Sequence, residues 1–251
     1  MLLDFRTLSV NPNKALRDKN NAAMRKACFL FDKVTAISEG VAKELGRNDI
    51  HILPLGADTI SFTKKDYNNG IRILYVGIFT NRNIEETIKG VYAFHAENPD
   101  VALHYRLIGY GTSSEETVIR NLIHSLDADS YIDFIGRVPH HLLGQYFDDS
   151  NVGISFVPQT DYFEHQPPTK IFEYCNSGLF CLATGTQASK DIITPACGII
   201  IGDSSKGVTE GIQQFWTLRK RICENDIRSA LQANRWQVIV DTKLIPVLKV
   251  L

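Results

Sequence analysis

The densest chemistry in the chain lies in the run Pro167-Pro168-Thr169-Lys170-Ile171-Phe172-Glu173-Tyr174-Cys175-Asn176-Ser177-Gly178. Two prolines set φ ahead of a helical pattern, so the backbone N–H groups of Thr169 and Lys170 fall at a helix N-terminus, where an anionic phosphate is favourably held. Lys170 and Glu173 stand three apart and share one helical face. The cation can meet a diphosphate, and the carboxylate one turn on can accept hydrogen bonds from ribose hydroxyls. The same spacing also makes an ordinary i,i+3 salt bridge on a solvated face, and spacing alone leaves both readings open. Gly109-Tyr110-Gly111 is a weaker phosphate signal, because residue 114 is Ser and the fuller G-x-G-x-x-G pattern is absent; a tight strand-to-helix turn suits it better. His140-His141 is a poor metal motif, since adjacent helical residues diverge and no carboxylate or Cys sits at ligand spacing, so no metal site is expected.

These residues need a scaffold. From residue 71 onward, short β-branched runs alternate with longer helical patterns, the mark of repeated βαβ units around a parallel sheet. Strands are expected at 72–77, 102–108, 131–135, 152–156, 180–184 and 198–201, mostly as near-continuous apolar runs covered by helices on both faces. Helices are expected at 84–96, 115–126, 140–147 and 169–176, the last closed by Ser177-Gly178. The fold class is α/β: a doubly wound, Rossmann-like parallel sheet with a partial second α/β unit. Ligands of such sheets bind outside the carboxyl ends of the strands, which points to the loops after Gly77, Ile108, Ile135 and Phe156.

The first sixty residues suggest strands at 2–5, 33–37 and 51–53, a helix at 14–30, and a second helix at 39–45 capped by Ser38. The polar stretch 63–70, TKKDYNNG, has linker composition. Residues 206–251 are largely helical, with Trp216 and Trp236 as packing anchors. Lys and Arg number 27 against 28 Asp and Glu, so a formal charge of -1 offers no general field for nucleic acid. The five cysteines form no C-x-x-C pair and suit free thiols in a reducing cytosol. No run approaches the ~18 apolar residues of a membrane-spanning helix, and the N-terminus lacks the pattern of a secretory signal.

The run PPTKIFEYCNSGLFCLAT resembles the P-x-K-x-x-E-Y-x-A-x-G-x-P-V-I-A segment of retaining glycosyltransferases of the GT-B fold, the large group called glycosyltransferase group 1. Further segments match in the right order. Asp32 to Ser38 resembles the strand and turn closing the family's first domain, and Leu53 to Asp58 with Phe62 resembles its interdomain crossing. Ile73 to Gly77 resembles the first strand of the donor domain, Leu107 to Gly111 its G-x-G turn, and Ile135 to Val138 its F-x-G-x-V turn.

The resemblance implies a donor site for a nucleoside diphosphate sugar. Glu173 would bind the ribose, Thr169 and Lys170 the diphosphate, and the backbone around Gly136 and Arg137 the base. Gly77 would border the site at the end of its strand. Arg82, in Thr80-Asn81-Arg82-Asn83-Ile84, occupies the place of a phosphate-binding cation in relatives and, with Lys170, would offset leaving-group charge. Against this, a cation gains nothing from a helix start, and Arg82 also suits plain surface. Many relatives pair the glutamate with a second one upstream; here that position is His165, with Glu164 one residue out of register, which puts sugar identity and turnover in question.

On the same basis, residues 1–62 correspond to the last part of an acceptor-side domain, 63–225 to the donor domain, and 226–251 to a helix that packs back on the first. An exposed apolar face is expected on the first sixty residues and on the terminal helix. The chain would be an expressed fragment, a truncated gene product or one half of a split enzyme with a separate acceptor-domain subunit. The implied function is sugar transfer to a saccharide or lipid-linked acceptor in surface polysaccharide synthesis. No cofactor or essential metal is expected, and the implied location is the cytoplasm, peripheral at the inner face of the membrane. Two alternatives stay open: a non-catalytic nucleotide-sugar-binding subunit, and, less suited to the P-x-K-x-x-E-Y segment, a sugar-nucleotide epimerase.

Overall fold

In the computed structural model, which describes residues 1–249, the first unit is a three-stranded parallel sheet of β1 (Leu2–Phe5), β2 (Lys33–Ala36) and β3 (Ile50–Ile52), ordered β1-β2-β3. Between its strands run α1 (Lys14–Cys28) and α2 (Glu39–Leu45), and the Ser38 hydroxyl accepts from the Val41 N–H as the expected cap. α1 stops two residues short of the expected end, because the N–H groups of Phe29 and Leu30 turn back to the carbonyls of Lys26 and Ala27 in a tighter turn.

The apolar runs that follow become β4 (Ile71–Ile78), β5 (Leu103–Tyr110), β6 (Ile132–Gly136), β7 (Val152–Ser155), β8 (Phe180–Thr184) and β9 (Gly198–Ile201). They form one parallel sheet ordered β6-β5-β4-β7-β8-β9, the expected doubly wound arrangement. α3 (Ile84–Glu97) and α4 (Ser113–Ser125) cross over on one half of the sheet, while α6 (Thr169–Asn176) and α8 (Ser205–Leu218) serve the other, with α5 (Gly144–Asp148) and α7 (Gln187–Lys190) as short turns between. Where a helix was expected over 140–147, a 3-10 turn at His140–Leu142 precedes α5, because Gly144 interrupts the run of helix-forming side chains.

The strand order reverses between β4 and β7, and there the sheet opens. β4 pairs with β5 along its full length, but with β7 only at Ile73↔Val152 and Leu74↔Gly153. Beyond that point the Val76 N–H donates instead to the Tyr174 hydroxyl of α6, at 2.9 Å. Gly153 makes room for this, since a Cβ there would collide with the Tyr174 ring. One buried tyrosine therefore replaces a rung of the ladder and holds the two strands apart.

The segment 63–70 is not a free linker. Lys65 and Tyr67 are buried; the Lys65 ammonium donates to Ser61 Oγ at 2.9 Å and to the Phe147 carbonyl at 2.5 Å, and the Tyr67 hydroxyl donates to the Gly178 carbonyl at 2.6 Å. Long amphipathic side chains carry polar heads to buried acceptors here, which linker composition does not reveal.

After α8 the chain forms α9 (Glu224–Ala230), α10 (Trp236–Ile239), a π-helical turn over Val240–Leu244 and α11 (Ile245–Leu248). Pro246 has no N–H to give to the turn before it, which accounts for the widened register. Val250 and Leu251, the end of the expected terminal helix, lie outside the described residues. Leu16, Phe29 and Leu30 of the first unit and Trp236, Val238 and Leu248 of the last helices are exposed, on the segments where exposed apolar side chains were expected. Among the described residues no helix is long and apolar enough to cross a membrane.

Candidate functional site

The carboxyl ends of β4, β5, β6 and β7 surround a cavity of about 670 Å³ at the strand-order reversal. Gly77 and Gly109 end neighbouring strands so closely that a Cβ on Gly109 would strike the Gly77 carbonyl oxygen, and glycine alone permits this floor. Gly136 takes a left-handed φ of +84° that turns the chain after β6, so that Arg137 lines the cavity while Gly136 itself does not. From the first unit, Thr7 and Val10 also line it.

The start of α6 forms one side. Pro168 precedes it without a side-chain cap, and the N–H groups of Thr169 and Lys170 find no protein acceptor among the described residues. Pro167, Pro168, Thr169 and Lys170 all line the cavity, so these donors face it with the positive end of the helix dipole. Lys170 donates to Glu173 Oε2 at 2.6 Å. The i,i+3 ion pair is thus present, but not on a solvated face: every residue from Ile171 to Asn176 is buried, Glu173 included. Burying a helix all round leaves Lys170 at the cavity wall and Glu173 directly behind it.

Arg82 enters from the turn after β4. Asn81 and Asn83 on either side adopt left-handed φ values of 58° and 51°, a conformation Asn tolerates better than most residues. The guanidinium carbon lies 4.3 Å from the Phe163 ring, and among the described residues the side chain makes no hydrogen bond or ion pair. Burial pulls its pKa down from the ordinary arginine value, so the protein bears a desolvation cost that no protein anion offsets. Arg137 stands 5.0 Å from the Tyr110 ring. The lining holds Arg82, Arg137 and Lys170 and, among the described residues, no carboxylate. Sequence reasoning missed Tyr110 and Phe163. The signal for Tyr110 was its place as the middle residue of a strand-ending G-x-G; Phe163 gave none, since its burial comes from a loop folding onto Arg82.

His165 is turned away. Its ring packs where a Cβ on Gly40 would come within 2.7 Å, and its carbonyl accepts from Ser38 Oγ at 3.0 Å. Glu164 Oε1 accepts from the Gln187 N–H at 3.0 Å, holding the start of α7. Of the candidates, the structure therefore brings Gly77, Arg82, Arg137, Thr169 and Lys170 onto one cavity, with Glu173 and Gly136 in support and His165 elsewhere.

No protein-family model matches the chain, and no curated protein matches it in sequence. In fold it is similar to sucrose-phosphate synthase from Thermosynechococcus elongatus, with a TM-score of 0.76 at 18% identity, over 99% of this chain and 66% of that one. It is similar to Anabaena Alr3699/HepE, solved in complex with UDP, with a TM-score of 0.76 at 14% identity, over 100% of this chain and 72% of that one. It is also similar to WaaG, a glycosyltransferase involved in lipopolysaccharide biosynthesis, with a TM-score of 0.71 at 14% identity, over 96% of this chain and 73% of that one. The fold is that of the GT-B glycosyltransferases, and the chain spans about two-thirds of the length of the first of these proteins.

Proposed function

We propose that the cavity binds a nucleoside diphosphate sugar, and that the chain is the donor-binding part of a retaining glycosyltransferase acting on a saccharide or lipid-linked acceptor in cell-surface polysaccharide synthesis. One observation carries the reading: the uncapped N–H groups at the start of α6 share a cavity with Arg82, a desolvated cation without a protein anion. A diphosphate satisfies both at once. Behind it, Glu173 accepts from the ribose hydroxyls while Lys170 bridges carboxylate and phosphate. The base lies towards Arg137 and Tyr110. As the glycosidic bond to the diphosphate breaks, negative charge grows on the leaving oxygen, and Arg82, Lys170 and the helix N-terminus stand fixed to receive it. In this reading those groups meet the phosphate charge without an essential metal. UDP is the first nucleotide to try, since HepE holds it.

A second reading, a binding subunit without chemistry, is favoured by the absence of a carboxylate from the lining among the described residues, with His165 and Glu164 engaged elsewhere. Calorimetric titration of the chain with UDP, GDP and their common sugars tests the site. Saturable binding that Glu173→Ala and Lys170→Ala each weaken by roughly tenfold or more is expected for charge-assisted bonds. A folded chain that binds none of them refutes the assignment. Release of free sugar from the bound donor separates the enzyme from the binding subunit.

A further inference from the structure

Beside the cavity, four side chains from two units stand in one stack. The Arg17 guanidinium of α1 lies 4.9 Å from the Tyr162 ring, the Tyr162 and Phe163 centroids are 4.8 Å apart, and the Arg82 guanidinium lies 4.3 Å from the Phe163 ring. Cations rest on the negative faces of rings, and two rings pack favourably when tilted, so each neighbour restricts the next. Arg17 is itself fixed: its side chain is 10% exposed and donates to the Asn11 carbonyl at 2.8 Å and to Asp161 Oδ2 at 2.9 Å. The ion pair alone is a weak anchor, because Asp161 is 73% exposed. The same loop is tied to the first unit by Thr7 Oγ1, which donates to Gln166 Oε1 at 2.5 Å, and by Ser38 Oγ, which donates to the His165 carbonyl. At the other end of the stack, Phe163 is the contact that directs the Arg82 guanidinium, which has no polar protein partner among the described residues.

We propose that Arg17 is a positioning residue for the cavity: through Tyr162 and Phe163 it fixes the aim of Arg82, so that the first unit tunes an anion site it lines only with Thr7 and Val10. This rests on the reading of Arg82 as a diphosphate ligand. Without Arg17, Tyr162 loses its outer support, Phe163 gains freedom, and Arg82 spends less time pointing inward. The apparent affinity then falls by the fraction of time the site is competent.

A double-mutant cycle with UDP tests this by calorimetry on the full chain, using wild type, Arg17→Met, Arg82→Met and the double variant. Arg17→Met is expected to weaken UDP by roughly three- to tenfold in the wild-type background and by less than about twofold once Arg82 is gone. An equal loss in both backgrounds, the result of general loosening, overturns the proposal, as does no loss in either. Should Arg17→Met fail to fold, Tyr162→Leu breaks the stack at its centre while leaving Arg17 its bonds to Asn11 and Asp161, and must give the same pattern. If wild type binds GDP and not UDP, the cycle is run with GDP; if it binds neither, the nucleotide reading fails separately, and the stack is judged in the unliganded chain by the ¹⁵N order parameter of Arg82 Nε. A fall in Arg17→Met supports the link, and an unchanged value overturns it.

Discussion

Tyr174→Phe removes one oxygen atom from the centre of the larger sheet and nothing else. The Tyr174 ring is fully buried over Gly153, and its hydroxyl accepts from the Val76 N–H at 2.9 Å, where the β4–β7 ladder has already ended at Leu74↔Gly153. No strand remains to take over the freed N–H, and the Tyr174 side chain that meets it is fully buried. A buried donor left without a partner costs about 1–3 kcal/mol. For a chain of this length each kcal/mol lowers the melting temperature by roughly 2–4 °C. Urea unfolding followed by fluorescence should show a lower midpoint with an unchanged slope, because the surface exposed on unfolding stays the same. A loss below about 0.5 kcal/mol would refute the reasoning, for the opening between β4 and β7 would then not depend on the tyrosine. Gly153→Ala should be worse, since its methyl group meets the ring directly and the ring cannot retreat without giving up Val76.

Gly109→Ala places a methyl group against the Gly77 carbonyl, and a loss of more than about 3 kcal/mol, or of folded protein altogether, is expected by circular dichroism. Arg82→Met should weaken UDP by roughly ten- to hundredfold in calorimetry, while thermal unfolding shows stability unchanged or raised by up to about 1 kcal/mol, because a desolvated cation without a counter-ion has been removed. Burial lowers the Lys65 ammonium from 10.5 to about 8. Between those values the unfolded chain holds the proton more tightly, so the stability of wild type relative to Lys65→Met should rise by roughly 2 kcal/mol from about pH 7.5 to about pH 10. Urea unfolding of both proteins at pH 7.5 and pH 10 measures that difference, and a flat difference would contradict the burial.

How much of this was legible beforehand follows the range of the interactions. β8 and β9 fell at the expected residues because unbroken apolar runs record burial on both faces of the sheet. α6 matched end to end because Pro168 and Gly178 mark its limits locally. Ser38 announced its own cap. What stayed hidden joins distant residues: Tyr174 and Val76 are 98 positions apart, and Arg17 and Asp161 are 144 apart. The burial of Lys65 was disguised by a polar neighbourhood, and His165 stood at the position the resemblance singles out while the fold sent its ring to Gly40. Local chemistry can nominate a group, but the topology decides where it points.

The two stretches that link the units run side by side. The Ala57 N–H donates to the Asn234 carbonyl at 2.9 Å, and the Asn234 side chain donates to the Leu55 carbonyl at 3.0 Å. On the near side Arg6 holds the carbonyls of Leu53 and Pro54 and reaches Trp236, while on the far side the Ser177 hydroxyl accepts from the N–H groups of Ile60 and Ser61. A single covalent link between two bodies behaves as a ball joint; a pair of adjacent links defines an axis, like the pin of a door. A swing about that axis would change the gap between Thr7 and Lys170 and would have to release the Thr7–Gln166 and Arg17–Asp161 bonds, whereas a twist across it would tear the Asn234 bonds.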